Sequence, residues 1–426
     1  MRLLPSRIPS LPSGLSLNLG KRSPENLIGL DIQPGFVAAV QARVNGSIVA
    51  ERAASLALPA DCVRDGEVMD EDALSETLRE LFVESGLSKR VRVGVANQRT
   101  VLRTLELPPV TDQKELAAAV NFQAQDQVPM PLNNAVMDFH PLGIVDTPAG
   151  PRQRVVLVAA QRDMIERLLA AVRRAGLSVE GVDLSAFALI RSLYRPDPEQ
   201  PARVLYLNVD GLTNLAIAEG TICRFTRVVG SGLEGMASEL AERRSIALAE
   251  ARALLAAVDL RVPAPAERVR APEQDEHDLG SGEDQQPAEG PEAQEPVGLE
   301  DAEDSERAMG YEELAAVEST PAAQAAQSQS DADVWAVLEN GIREISGEVR
   351  NSLDFHRSQE GGGEVSHVVM SGSAEDIPGF AEALQRSLGV EVRSGQVGLL
   401  EQGLGENVSP HRLAVATGLA AAEAPQ

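Results

Sequence analysis

The sequence predicts an α/β protein built of two similar lobes that face a cleft. Three observations carry this reading. A buried strand, a hairpin and a helix occur in that order at residues 27–95 and again at 203–260, which is the mark of an internal duplication. The stretch between them mixes strands and helices as a small α+β unit. The chain is 426 residues long, beyond the size at which one hydrophobic core serves, and its 43% hydrophobic and 24% charged residues are a globular composition.

Charge is distributed unevenly. There are 64 acidic and 38 basic residues, a net −26. Residues 271–320 alone hold 17 acidic residues and one basic one, Arg307, a net −16 that leaves about −10 for the rest. This segment is also rich in Pro, Gly, Gln and Ala, so it buries too little apolar surface to offset its ordering entropy. It reads as a disordered acidic insertion over 262–332, with a short helix-prone stretch at Tyr311–Val317. The acid excess argues against a nucleic-acid partner, and 3% aromatics argue against a base-stacking reader of single strands. Two cysteines, Cys62 and Cys223, cannot form a disulfide framework and suit a reducing compartment as buried thiols.

The elements follow in order. Residues 1–26 read as a basic, proline-interrupted tail that carries Arg2, Arg7, Lys21 and Arg22. Leu27–Ile32 is a short buried strand, Phe36–Val44 alternates, and Asn45-Gly46 signals a hairpin into Ser47–Leu58. Asp70 caps a helix whose apolar face is Leu74, Leu78, Leu81 and Phe82, and Gly86 ends it. Val91–Val95 is another buried strand, closing a first lobe at 27–96.

The next unit, 97–190, reads as a strand from Thr100 to Leu107, a helix from Thr111 to about Gln125 and a strand at Val136–Leu142. A Pro/Gly loop follows, then a strand at Arg154–Ala160, a helix at Arg162–Ala175, and a strand and helix through Ser192. The second lobe begins over 200–261. It has strands at Arg203–Val209, Leu212–Ala218 and Thr221–Val229, then helices near Gly232–Arg243 and Ala247–Val258. It resumes over 333–422. There Val334, Leu338, Ile342, Ile345, Val349, Leu353 and His356 mark one helical face, Val365–Met370 is a strand and Pro378–Leu388 a helix. No run of about 18 apolar residues suggests a membrane span, and no signal-peptide core opens the chain, so a cytoplasmic protein is expected.

Several stretches carry a family resemblance. Gly29-Leu30-Asp31-Ile32, then Val209-Asp210-Gly211-Leu212-Thr213, then Ser371-Gly372-Ser373 look like the two phosphate segments and the adenosine segment of actin-like ATPases. Asp65–Asp70, Leu102–Pro108, Gln127–Leu132, Arg224–Arg227, Ser352–Gln359 and Ala414–Ala420 follow in the order found in the type IV pilus assembly protein PilM family, relatives of the cell-division protein FtsA. The chain resembles that family over about 27–260 and 333–422. The resemblance implies two actin-like, ribonuclease H-like lobes around a nucleotide cleft, with a small α+β subdomain inserted in the first. It implies a protein peripheral to the inner face of the cell membrane that binds the short cytoplasmic tail of a PilN-type membrane protein. It further implies service on a pilus or secretion motor platform, with self-association a further expectation.

It also implies a site for ATP and Mg, at Asp31, Gln33, Gly35, Asp210, Gly211, Thr213, Gly230, Gly232, Glu250, Gly372 and Ser373, with Asp31 holding the metal through water. The alternative for Asp31 is a strand-end carboxylate satisfied by turn N–H groups. Phosphate turns need approachable backbone N–H groups, hence Gly and Ser. The first turn here is Gln33-Pro34-Gly35-Phe36. Pro34 donates nothing, and Ala38 stands at the family's lysine position. In the second turn Asn208 replaces an Asp and the Asp210 carboxylate replaces a Gly. Each lost donor costs roughly 3–4 kcal/mol of transition-state stabilisation. The reading is therefore a degenerate site on a scaffold, with an active actin-like ATPase as the alternative. A sugar kinase would need a catalytic Asp and a sugar pocket that the sequence does not offer.

The five His residues show no metal-ligand spacing. The leader Met1-Arg2-Leu3-Leu4-Pro5 resembles the Asn-Leu-Leu-Pro start of PilN tails, so it is a candidate to occupy the partner's groove. In relatives that groove lies between the first lobe and the inserted subdomain.

Overall fold

The computed structural model describes residues 27–262 and 321–421, apart from 46, 149, 197–201, 360 and 401–407. The basic tail, its Leu-Leu-Pro motif and residues 263–320 of the acidic segment lie outside the described residues.

The first sheet holds β1 (Ile28–Gln33), β2 (Phe36–Asn45), β3 (Ser47–Ala57) and β6 (Arg90–Val95). β1 pairs antiparallel with β2 and parallel with β6. The ribbon of β4 (Val63–Arg64) and β5 (Glu67–Val68) leads into α1 (Glu71–Ser85). Asp70 caps α1 as its sequence position requires, accepting from Asp72 N at 3.0 Å and Ala73 N at 2.9 Å.

β7 (Val101–Leu107), β8 (Ala135–Thr147) and β9 (Gly150–Gln161) form a separate three-stranded sheet in the order β7-β9-β8, covered on one face by α2 (Gln113–Gln127). The stretch read as a Pro/Gly loop is strand instead. β8 is an edge strand, so Pro141 interrupts no ladder that a central strand would need, and the register shifts between Pro141 and Gly143. The inserted sheet ends at Gln161. α3 (Arg162–Arg174) packs on α1, and β10 (Ser178–Leu184) pairs parallel with β6, so both belong to the first sheet's layer and not to the 97–190 insert.

The second sheet runs β13-β12-β11-β14-β15, from β11 (Arg203–Val209), β12 (Thr213–Glu219), β13 (Ile222–Val229), β14 (His367–Ser371) and β15 (Val392–Ser394). One face packs on α5 (Leu233–Arg244), α6 (Leu248–Ala256), α7 (Pro321–Ser358) and α8 (Phe380–Leu388). The periodic face of α7 is buried as read, from Val334 to His356, and each buried aliphatic contributes about 1.5–3 kcal/mol. α7 starts at Pro321, inside the segment read as insertion to 332. Residues 322–332 are rich in Ala and Gln and hold no Pro or Gly to stop a helix that Pro can open.

Two helices lie between the sheets. α4 (Ser185–Leu193) packs on β11, β12 and β13, while α9 (Ala414–Ala420) packs on β1, β2 and β6. They meet backbone to backbone. A Cβ built on Gly418 would lie 1.8 Å from the Ala188 carbonyl oxygen, and one on Gly29 would lie 1.8 Å from that of Ala416. Arg191 donates to the Gly418 carbonyl at 3.1 Å and forms a buried ion pair with Asp183. Arg92 donates to the carbonyls of Leu419 (3.0 Å) and Ala421 (2.8 Å), satisfying the open end of α9. β16 (Gly398–Leu399) returns to pair with β3, so the C-terminal stretch ties the second sheet back to the first. No helix of the described residues is long and apolar enough to cross a membrane.

Candidate functional site

The strand ends of both sheets converge at the cleft. Asp31 lies in the second half of β1 and Asp210 follows β11, and both are buried. Asp31 Oδ1 accepts from Gln33 Nε2 at 3.1 Å, while Oδ2 has no partner. Burial, then the nearby Asp210 charge, push the Asp31 carboxyl up to about 7, against a smaller opposing effect of the Gln33 bond. The alternative of turn N–H groups satisfying Asp31 therefore fails: a side-chain amide does so, and only on one oxygen.

Asp210 is more fully bonded. Its Oδ1 accepts the Ser373 N–H and the Ser373 hydroxyl, each at 2.7 Å, and its Oδ2 accepts from Asn208 at 2.8 Å. Ser371 donates to Asn208 in turn at 2.9 Å. Burial raises the Asp210 carboxyl, and these bonds with the Arg412 charge pull against it.

The turns themselves touch. A Cβ on Gly211 would lie 2.1 Å from the Pro34 carbonyl oxygen, so only glycine allows the first turn to abut the second. Gly232 sits as tightly on the carbonyls of Gly211 and Asp210, and Gly372 on the backbone of Val209. Thr213 donates to the Ser231 carbonyl at 2.5 Å. Gly230 faces Asp65 of the first lobe and Gln98, which follows β6. Thus ten of the eleven sequence candidates lie on these contacting turns. Glu250 is exposed on the first turn of α6, and no hydrogen bond or ion pair joins it to the others among the described residues.

Three cleft groups were missed from sequence. Glu234, held by Arg252 at 2.8 Å, places a carboxylate against Gly35. Arg412 lies 5.0 Å over the Phe36 ring. They come from α5, α6 and the C-terminal 3-10 turn Pro410–Leu413, and no local pattern announces that these reach the cleft.

The Ser373 donors are taken by a carboxylate, the two turns abut, and a second carboxylate faces Gly35. Only the unpartnered Asp31 Oδ2 suits a metal's water.

A second feature lies where the inserted sheet meets α4. A cavity of about 60 Å³ is lined by His140, Leu142 and Val156 of the inserted sheet, Phe187 and Arg191 of α4, and Thr221–Cys223 at the β12–β13 turn. Cys223 is buried, which pushes its thiol up to about 12 and makes it an inert wall.

Known proteins are similar to this chain in sequence and fold. The sequence signature described as type IV pilus assembly protein PilM matches residues 29–212. Among solved structures, a PilM-PilN type IV pilus biogenesis complex matches with a TM-score of 0.65 at 21% identity, covering 93% of this chain and 98% of that one. The ethanolamine utilization protein EutJ from Carboxydothermus hydrogenoformans matches with a TM-score of 0.44 at 14% identity, over 92% of this chain and 88% of that one. MreB 5 of Spiroplasma citri bound to AMPPNP gives 0.43 at 12%, over 92% and 94%. The two-lobed, actin-like α/β fold implied by the sequence is the fold observed. The chain resembles the type IV pilus assembly protein PilM, in sequence over residues 29–212 and in fold across both lobes.

Proposed function

We propose that this protein is a non-hydrolysing scaffold of a type IV pilus assembly platform at the inner face of the cell membrane. It binds the short tail of a PilN-type membrane protein. The likeness to PilM in a PilM-PilN complex supports the platform and the partner. The tail's apolar residues enter the cavity between the inserted sheet and α4, an apolar-lined opening where the insert meets the helix layer. A basic tail would bring its charge to a chain of net −26.

One observation carries the scaffold reading over an enzymatic one. Pro34 abuts Gly211 while Asp210 occupies the Ser373 donors, so the cleft is satisfied by its own groups. A hydrolytic cycle has one observation in its favour, the buried and unpartnered Asp31 Oδ2. Phosphate release measured at high protein concentration, with Mg·ATP and the partner tail present, separates the two. The scaffold reading expects no release above a no-enzyme control. Sustained turnover that Asp31→Asn abolishes would overturn it.

A further inference from the structure

A larger cavity of about 540 Å³ lies on the second sheet, on the face turned away from α5–α8. The register fixes which residues form its floor. Tyr206, Val369 and Arg393 stand in one row across β11, β14 and β15, and Val204 and His367 stand in the row beside it. Leu205, Leu207, Val368 and Met370 alternate with them and go into the core beneath. α4 covers this face over β11–β13 and stops at Leu193, so the β14–β15 half has no helix on it among the described residues.

The rim is made by the two places where the chain crosses between lobes. One follows α4 at Tyr194–Pro196. The other follows β15 at Gly395–Gln396 and leads to β16 in the first sheet. Arg195 ties them together. It donates to the carbonyls of Ser192 and Tyr194, each at 2.9 Å, and to the Gln396 carbonyl at 3.2 Å.

The charge of this lining is opposite to that of the chain. Among the described residues it includes the cations Arg195 and Arg393 and no carboxylate, in a protein of net −26. Glu391, outside the lining, holds Arg393 through both oxygens at 2.9 and 2.8 Å. Arg195 has no carboxylate partner among the described residues. Cationic groups and tyrosine hydroxyls above an aliphatic floor, in a cavity of ligand size, match a molecule with one apolar end and one anionic end.

We propose that this cavity binds a small amphipathic organic anion, its apolar body on Val204 and Val369 and its charge toward Arg195. Because both lobe crossings grip the same ligand, occupancy couples to the relation between the lobes. Its lining shares no residue with that of the other cavity.

The probe is 8-anilinonaphthalene-1-sulfonate, titrated by fluorescence into the full chain, beside the uncharged N-phenyl-1-naphthylamine. Saturable sulfonate binding is expected, at least tenfold tighter than the neutral compound. Val369→Trp, which fills the floor, is expected to weaken it tenfold or more, and Arg195→Ala several-fold. Ile222→Asp, in the other cavity, is expected to leave it unchanged. Binding of the partner peptide by the Val369→Trp protein reports that it is folded. If that variant does not fold, Arg195→Ala and the neutral compound decide. Equal binding of the two compounds, binding unaffected by both cavity variants, or loss in Ile222→Asp alone would overturn the proposal.

Discussion

The Asp210 carboxylate accepts both the backbone N–H and the hydroxyl of Ser373, each at 2.7 Å, across a sequence separation of 163 residues. The carboxylate thus does the work a bound anion would do for the same donors. Asp210→Ala leaves Ser373 N–H and Asn208 buried without that acceptor. A buried group left unsatisfied costs about 1–3 kcal/mol, so a stability loss of about 2 kcal/mol or more is expected by urea denaturation. A loss under about 0.5 kcal/mol would mean that water replaces the carboxylate freely.

Asp31 makes stability depend on pH. Its carboxyl is raised from 3.8 to about 7 in the fold, mainly by burial and next by Asp210. The folded state then holds a proton that the unfolded state releases near 3.8, so stability falls as pH rises from about 4 to about 7. The full loss is on the order of 4 kcal/mol, because each tenfold difference in proton affinity between the two states is worth about 1.4 kcal/mol. Asp210 moves in the same direction, so some slope remains without Asp31. Denaturation midpoints at pH 5 and pH 8 are expected to differ more for the native chain than for Asp31→Asn. Equal differences would remove Asp31 from the account.

The central helices have no spare volume. Gly418→Ala drives a methyl into the Ala188 carbonyl, and overpacking of this kind costs about 1–3 kcal/mol. Gly347 in α7 has open space around its Cβ position, and there alanine is expected to stabilise by about 0.5–1 kcal/mol. The two melting temperatures should move in opposite directions.

Much of this was legible in the sequence because it is local or periodic. Asp70 and Asp112 cap the helices they precede, and the buried face of α7 follows the 3.6-residue spacing from Val334 to His356. What was not legible depends on distant pairing. Nothing near Val182 says that β10 joins β6 in the first sheet, and nothing near Glu234 says that it reaches Gly35. Residues 143–153 read as a loop, since breaker composition does not report that β8 and β9 run on into a hairpin there. The turn departures at Pro34 and Asp210 were visible as composition. Their consequence, two turns in contact and a carboxylate on Ser373, needed the tertiary structure.

The proposed peptide cavity gives a direct mutational test. Ile222→Asp places a charge among Leu142, Val156 and Phe187. Affinity for a synthetic Asn-Leu-Leu-Pro peptide with basic residues after it is expected to fall tenfold or more, by fluorescence anisotropy. Unchanged affinity would move the partner site elsewhere on the chain.

The central claim is that the cleft is closed by its own residues. Isothermal titration of the full chain with Mg·ATP tests it most directly. No saturable binding below millimolar nucleotide is the expected result. Low-micromolar binding with one-to-one stoichiometry would contradict it, since a phosphate chain could then displace Asp210 from Ser373 and part Pro34 from Gly211.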